Sequence, residues 1–204
     1  MPLDPGERAA YTDLRTDMSA LPTRQQAWEL LHTHVHNENL LRHSLGVEAA
    51  MRACAERLDQ DTELWGLTGL LHDIDYEECG DDAEHGHRGA RILEEAGYPR
   101  TVVDAVRTHP LPPDQPRTEL IEKGLMSVDD LVGMIVAVTL VRPSRSLADV
   151  KPASVKKKMK DKAFARGANR DAIRCGAESL GIALDEHLAI VVKGLQGIAP
   201  QLGL

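Results

Sequence analysis

His43, the adjacent pair His72-Asp73, His85, His109 and Asp129 are the residues of this chain whose types can do chemistry as a set. Imidazole nitrogen and carboxylate oxygen are the two donors that suit a borderline divalent metal. Their order is H, then HD, then H, H and D, enough for one ion or for two that share a carboxylate. The pair closes the apolar run Trp65-Gly66-Leu67-Thr68-Gly69-Leu70-Leu71, where two polar groups are costly unless something uses them.

Neighbouring helical positions point about 100° apart. His72 and Asp73 therefore meet one ion only from the angle between them, or where the helix loosens. The less regularly apolar Ile74-Asp75-Tyr76 fits fraying at that point. Asp129 is flanked by Leu125, Met126, Val128, Leu131 and Val132, which are expected to bury it, and a buried carboxylate needs a partner or a metal. Any one of these residues alone reads better as a buried hydrogen-bonding group; the ordered set reads as metal ligation. His85 and His109, one helix and a turn apart, can converge on a second ion, with His87 competing for the place of His85. Asp75 and Glu77 can orient water or take a proton, or equally lie in solvent as loop carboxylates. His32, His34 and His36 alternate within a predicted helix and read as solvated surface. His187, beside Asp185 and Glu186, is expected to be exposed.

Helices must position these groups. Thr23 with Gln26 predicts a capping box opening a helix to about Val35. A second helix fits Glu38 to Leu58. Asp61 is the expected N-cap of a third, ending at His72. A polar loop centred on Cys79-Gly80-Asp81-Asp82 follows, then a helix over His85 to Ala96 stopped by Gly97. Pro99 opens a short helix to His109, and Pro110, Pro112 and Pro113 end it. Leu120 to Val141 is a long apolar helix; its length and the lack of partner strands outweigh the β-branched Ile135-Val136-Ala137-Val138. Helices over about Pro152 to Phe164, Arg170 to Leu180 and Leu184 to Ile198 complete an all-α reading. It is a single domain over 21–204 behind a loose tail, 1–20.

Composition narrows the function. The chain has 204 residues, 42% hydrophobic and 27% charged, as in a globular protein with an aliphatic core. A net charge of -8 and 3% aromatics argue against nucleic acid as a partner. The cysteines Cys54, Cys79 and Cys175 form no CxxC pair, which fits a cytoplasmic protein without a disulfide framework. The N-terminus lacks a signal pattern, and the apolar stretch Val132 to Val141 is too short to span a bilayer, so no membrane is expected. The basic run Lys151 to Arg166 reads as a solvated helix face ahead of a phosphate-neutralising one. Arg142 and Arg145, flanking Pro143-Ser144, are candidates to reach a substrate phosphate.

The segments Asn39-Leu40-Leu41-Arg42-His43-Ser44, Leu70-Leu71-His72-Asp73-Ile74-Asp75-Tyr76-Glu77 and Ser127-Val128-Asp129-Asp130-Leu131 resemble the HD-domain superfamily of metal-dependent phosphohydrolases. The closer likeness is to uncharacterised bacterial HDIG-type hydrolases. It extends from about Ala27 through Gly89-Ala90, Ser154 to Lys158 and Phe164-Ala165 to Asn169-Arg170. The resemblance implies a helical fold and a first metal on His43, His72, Asp73 and Asp129. In dinuclear members it implies a second on His85 and His109, bridged by Asp73; His85 fits because it stands four residues before Gly89-Ala90. The implied cofactors are one or two ions of Fe, Mn, Zn, Co or Ni, and the implied reaction is attack of metal-activated water on a small phosphorylated molecule such as a nucleotide. The alternatives are a metal- and nucleotide-binding regulatory module with little turnover, and a dinuclear-iron oxygenase.

Overall fold

Side-chain capping explains where several of the helices begin. The computed structural model describes residues 21–79 and 83–204. The segment read as a tail, 1–20, and Gly80-Asp81-Asp82 of the polar loop lie outside the described residues. Helix α1 (Arg24–His34) opens with the reciprocal capping box of Thr23 and Gln26. Asn37 caps α2 (Glu38–Arg57) and Asp61 caps α3 (Thr62–Leu71), each side chain accepting from two backbone N–H groups of the first turn. A short α4 (Tyr76–Cys79) precedes the polar loop. Helix α5 (His87–Glu95) starts two residues later than the sequence suggests, because Gly86 turns the chain with φ 77°. His85 thus stands in a turn and His87 in the helix. Helix α6 (Arg100–Thr108) follows Pro99, and α7 (Leu120–Leu140) is the long apolar helix.

Beyond a 3-10 turn at Leu147–Asp149 come α8 (Pro152–Met159), α9 (Arg170–Ser179), α10 (Leu184–Gln196) and a short α11 (Ala199–Leu202). Helix α8 stops five residues short of Phe164. The Arg170 guanidinium donates to the carbonyls of Asp161, Phe164, Ala165 and Ala168, and so holds 160–169 as turns. No strand occurs among the described residues, and the fold is all-α.

Two aliphatic clusters meet at the candidate site. One gathers Leu31, Leu67, Leu70, Leu71, Ile74, Leu93, Val102 and Val106 from α1, α3, α5, α6 and the turn after α3. The other gathers Val47, Met51, Leu125, Leu131, Ile135, Leu188 and Leu195 from α2, α7 and α10. Each fully buried leucine or isoleucine contributes about 1.5–3 kcal/mol relative to exposure. Two glycines let the helices close on one another. A Cβ on Gly46 of α2 would stand 2.7 Å from Val132 Cγ1 on α7, and one on Gly69 of α3 would stand 2.8 Å from the Val47 carbonyl of α2. Gly46 lies three residues beyond His43 and Gly69 three before His72, so these close approaches set the spacing of His43 from Asp129 and from His72 respectively.

The far side of α7 is covered by α9 and α10. Gly176 lies against Ser127, where a Cβ would stand 2.5 Å from Ser127 Cα, and His187 Nε2 donates to the Ser127 carbonyl at 3.0 Å. His187 is fully buried, contrary to its polar sequence neighbours, because α10 turns it inward with Leu188 and Val191. Among the described residues, no helix is long and apolar enough to cross a membrane.

Candidate metal centre

Helix α3 ends at Leu71, and His72 to Asp75 form a turn, so the adjacent His72 and Asp73 both point to one place. His43 arrives from α2, Asp129 from the middle of α7, His85 from the turn before α5 and His109 from the end of α6. The sequence-predicted set therefore converges. Three overlapping groups, His43–His72–Asp73, His72–His109–Asp129 and Asp73–His85–His109, each present ligand atoms within 4.8 Å of one another.

Asp73 stands at the centre, with one oxygen facing each way. Its Oδ2 lies 3.1 Å from His72 Nε2 and 3.9 Å from His43 Nε2. Its Oδ1 lies 3.2 Å from His109 Nε2 and 3.5 Å from His85 Nε2. Asp129 Oδ1 closes the first half, 2.9 Å from His43 Nε2 and 3.6 Å from His72 Nε2.

The other ring nitrogens are committed. His72 Nδ1 meets the Gly69 carbonyl at 2.9 Å, and His109 Nδ1 meets the Val106 carbonyl at 2.6 Å. A carbonyl only accepts, so these nitrogens carry the proton and, in the neutral rings, each Nε2 presents a lone pair to the cluster. His85 Nδ1 meets Asp75 Oδ1 at 2.9 Å. Fixing one imidazole nitrogen to orient the other is the outer support typical of metal-binding histidines. The Nε2 of His72 is buried and forms no hydrogen bond, although carboxylate oxygens lie beside it. A lone pair facing carboxylates is unfavourable unless a proton or a cation lies between. The donor set thus fits a divalent ion.

The electrostatics agree. Burial opposes charge on His72, but the Asp73 and Asp129 carboxylates outweigh it and hold the imidazole well above its usual value. Burial likewise pushes Asp73 and Asp129 up, yet the imidazoles around them hold both carboxyls well below the ordinary range. Neighbouring Asp130 is pushed up to about 6 by burial, which outweighs the hydrogen bond that its Oδ1 accepts from the Asn169 backbone N–H at 2.9 Å.

Access is one-sided. The His43 and Asp129 side chains are 24% and 31% exposed, whereas His72 is 0% and His109 3%. The flanking leucines and valines of α7 thus leave part of Asp129 open to solvent.

The remaining candidates lie elsewhere or act differently. Asp75 is fully buried, which removes the solvated loop carboxylate from its two readings. Besides His85 it accepts from the N–H groups of Gly86 at 2.9 Å and Gly89 at 2.8 Å, so its oxygens orient His85 and the start of α5. Glu77 accepts from the N–H groups of His36 and Asn37, tying the chain just before α2. Arg142 and Arg145 follow the end of α7, roughly 16 Å along its axis from Asp129, and do not join the cluster. His34 faces Glu78 at 3.4 Å, and His32, His36 and His87 are exposed. In the basic run, Lys156 pairs with Asp185 at 2.6 Å and Lys158 lies over the Phe164 ring.

One supporting residue carries no sequence signal. Arg117, buried, donates to the carbonyls of Thr108, His109 and Leu111 at 3.0, 3.3 and 2.8 Å, and to those of Pro112 and Gln115. It gathers the end of α6 and the proline turn that carries His109. Burial lowers its pKa, against the pull of Glu122.

Residues 40–138 match the HD domain family, over the stretch that holds every member of the cluster. This stretch of the chain belongs to the HD domain family, and HD domains are mostly metal-dependent hydrolases. No curated protein and no solved structure matches the chain.

Proposed function

We propose that this chain is a metal-dependent phosphohydrolase acting on a small phosphorylated molecule. His43, His72, Asp73 and Asp129 hold one divalent ion, and Asp73, His85 and His109 hold a second. The observation that carries this reading is the central Asp73, whose two oxygens face the two histidine pairs at 3.1–3.9 Å.

A bound divalent ion supplies Lewis-acid polarisation of the phosphoryl oxygen and lowers the pKa of water. The chain's own residues prepare that chemistry. In the neutral rings the Gly69 and Val106 carbonyls hold the proton on Nδ1 of His72 and His109 and leave each Nε2 as the ligating atom, and Asp75 turns His85 toward the centre. Apolar walls behind His72 and His109 exclude water from the rear of the cluster, so attack comes from the side of His43 and Asp129. In the hydrolysis an oxygen–phosphorus bond forms from water, the ester phosphorus–oxygen bond breaks, and the alcohol leaves with a proton. Asp73 and Asp129 return negative charge to the site, and the surplus positive charge of two ions favours an anionic phosphate.

The test is elemental analysis of purified protein followed by a phosphate-release screen. Close to one or two equivalents of Fe, Mn, Zn, Co or Ni are expected, with turnover of nucleotides, cyclic nucleotides or other phosphate esters once metal is supplied. Absence of metal after loading with each ion, or metal and ligand binding without turnover across the panel, would overturn the reading.

A further inference from the structure

A cleft of about 410 Å³ opens on the exposed side of the cluster. Its wall on α2 is Asn39, Arg42 and His43, which share one helix face; on α7 it is Gly133, Val136 and Leu140, and Leu202 to Leu204 close it. Asp129, Gly133, Val136 and Leu140 are spaced by four, three and four residues. They therefore form one stripe running from the proposed metal ligands along the cleft, about 16 Å long.

The stripe is built to leave room. Gly133 is among the poorest residues for a helix interior, yet a Cβ there would meet nothing within 4 Å. No close helix packing calls for it, unlike Gly46. The far end of the stripe is apolar and exposed: Leu140 is 44% exposed and Val141 61%. Leu140, Val136, Leu202 and Leu204 offer aliphatic surface; among the described residues the lining holds no Phe, Tyr or Trp on which a base would stack, and its one imidazole, His43, faces Asp129. Among the described residues, polar side chains reach the cleft only from the α2 edge, at Asn39, Arg42 and His43. A sugar laid along α7 would leave hydroxyls unpaired against that aliphatic wall.

We propose that this cleft seats the alcohol portion of the phosphoester and that the substrate is a monophosphate ester of an aliphatic alcohol. The inference rests on the phosphohydrolase reading: the phosphate lies at the cluster and the chain extends over Gly133 toward Leu140. Arg42 and Asn39 stand at the mouth on the α2 side, beside the phosphate end.

The test is calorimetric binding of ethyl-, butyl-, hexyl- and octylphosphonate, whose carbon–phosphorus bond resists hydrolysis, to metal-loaded protein. Inorganic phosphate, ribose 5-phosphate and a nucleoside monophosphate are measured in parallel. Affinity should rise about fourfold per methylene that reaches the cleft. Gly133→Leu should flatten that rise while inorganic phosphate binds as in wild type. Val136→Asp serves as a second block, and circular dichroism reports whether each variant is folded. Phosphate binding with no dependence on chain length overturns this inference and leaves the phosphohydrolase reading standing. Tighter binding of the sugar or nucleoside phosphate than of octylphosphonate overturns it in favour of a sugar ester. Failure of every phosphate and phosphonate to bind sinks both readings.

Discussion

The two halves of the cluster that share Asp73 are held in different ways. His43 and Asp129 sit within the long helices α2 and α7, whose separation is set by the close approach at Gly46. They are part exposed and meet each other directly at 2.9 Å. His85 and His109 sit in a turn and at a helix end, and each needs a second partner: Asp75 for one, the Val106 carbonyl for the other, with Arg117 gathering the chain beyond. Groups carried on rigid helices inherit their precision from packing, whereas groups on turns must be tethered. The tethered half is closed; in the other, His72 is likewise buried and tethered to the Gly69 carbonyl, and the helix-borne His43 and Asp129 supply the access.

The largest effect is expected where the halves join. His72→Ala combined with Asp73→Ala removes a member of both groups and should lower bound metal by about tenfold or more in elemental analysis. Retention of wild-type metal would place the site elsewhere.

Asp75→Asn should divide the halves. It keeps the volume but cannot serve His85 and the two backbone donors as a carboxylate does, and lost outer support typically costs about 10–100-fold in metal affinity. Calorimetric titration should show the second ion weakened and the first unchanged; equal loss of both would erase the distinction drawn here. Arg117→Met should cost about 2–3 kcal/mol in urea denaturation, through lost charge-assisted hydrogen bonds. It should also weaken the second ion more than the first, and unaltered stability would show that the proline turn holds itself.

His187 provides the smallest effect and a control. It is a buried imidazole with no carboxylate aimed at it, and its Nδ1 finds no partner among the described residues. Burial lowers its pKa, against the hydrogen bond to the Ser127 carbonyl, whereas the carboxylates around His72 raise that one. Because the folded value lies below the unfolded one, the unfolded chain takes the proton first as pH falls. His187 is therefore neutral and without penalty above about pH 6.5, and stability declines below it, by at most about 1.4 kcal/mol per pH unit. The stability difference between wild type and His187→Gln, followed from pH 7.5 to 5.5, should shrink across that window. A constant difference would mean that the imidazole titrates alike in both states.

Much of this was legible in the sequence. Caps such as Thr23, Asn37 and Asp61 are local chemistry, so the helices they open begin where side-chain types demand. The convergence of His43, His72, Asp73, His85, His109 and Asp129 followed from their order and their likeness to the HD pattern. Contacts set by distant chain escaped notice. Asp75 looks like a solvated loop carboxylate until Gly86 and Gly89 fold back onto it. Arg117 has no motif, because carbonyls collected from a loop leave no residue-type signature. His187 reads as exposed from its polar neighbours Asp185 and Glu186, but they hold the solvent side of a helix whose apolar face is turned toward Ser127.

The grip on α7 from behind has a consequence for the limits of the folded unit. The HD domain match ends at residue 138, yet Asn169 fastens to Asp130, Gly176 presses on Ser127 and His187 hydrogen-bonds to the same residue. All three anchor points fall within two positions of Asp129. The tract after residue 138 is thus the abutment against which that carboxylate is held, and a polypeptide trimmed to the family segment would keep every candidate ligand while losing the masonry that keeps one of them in register.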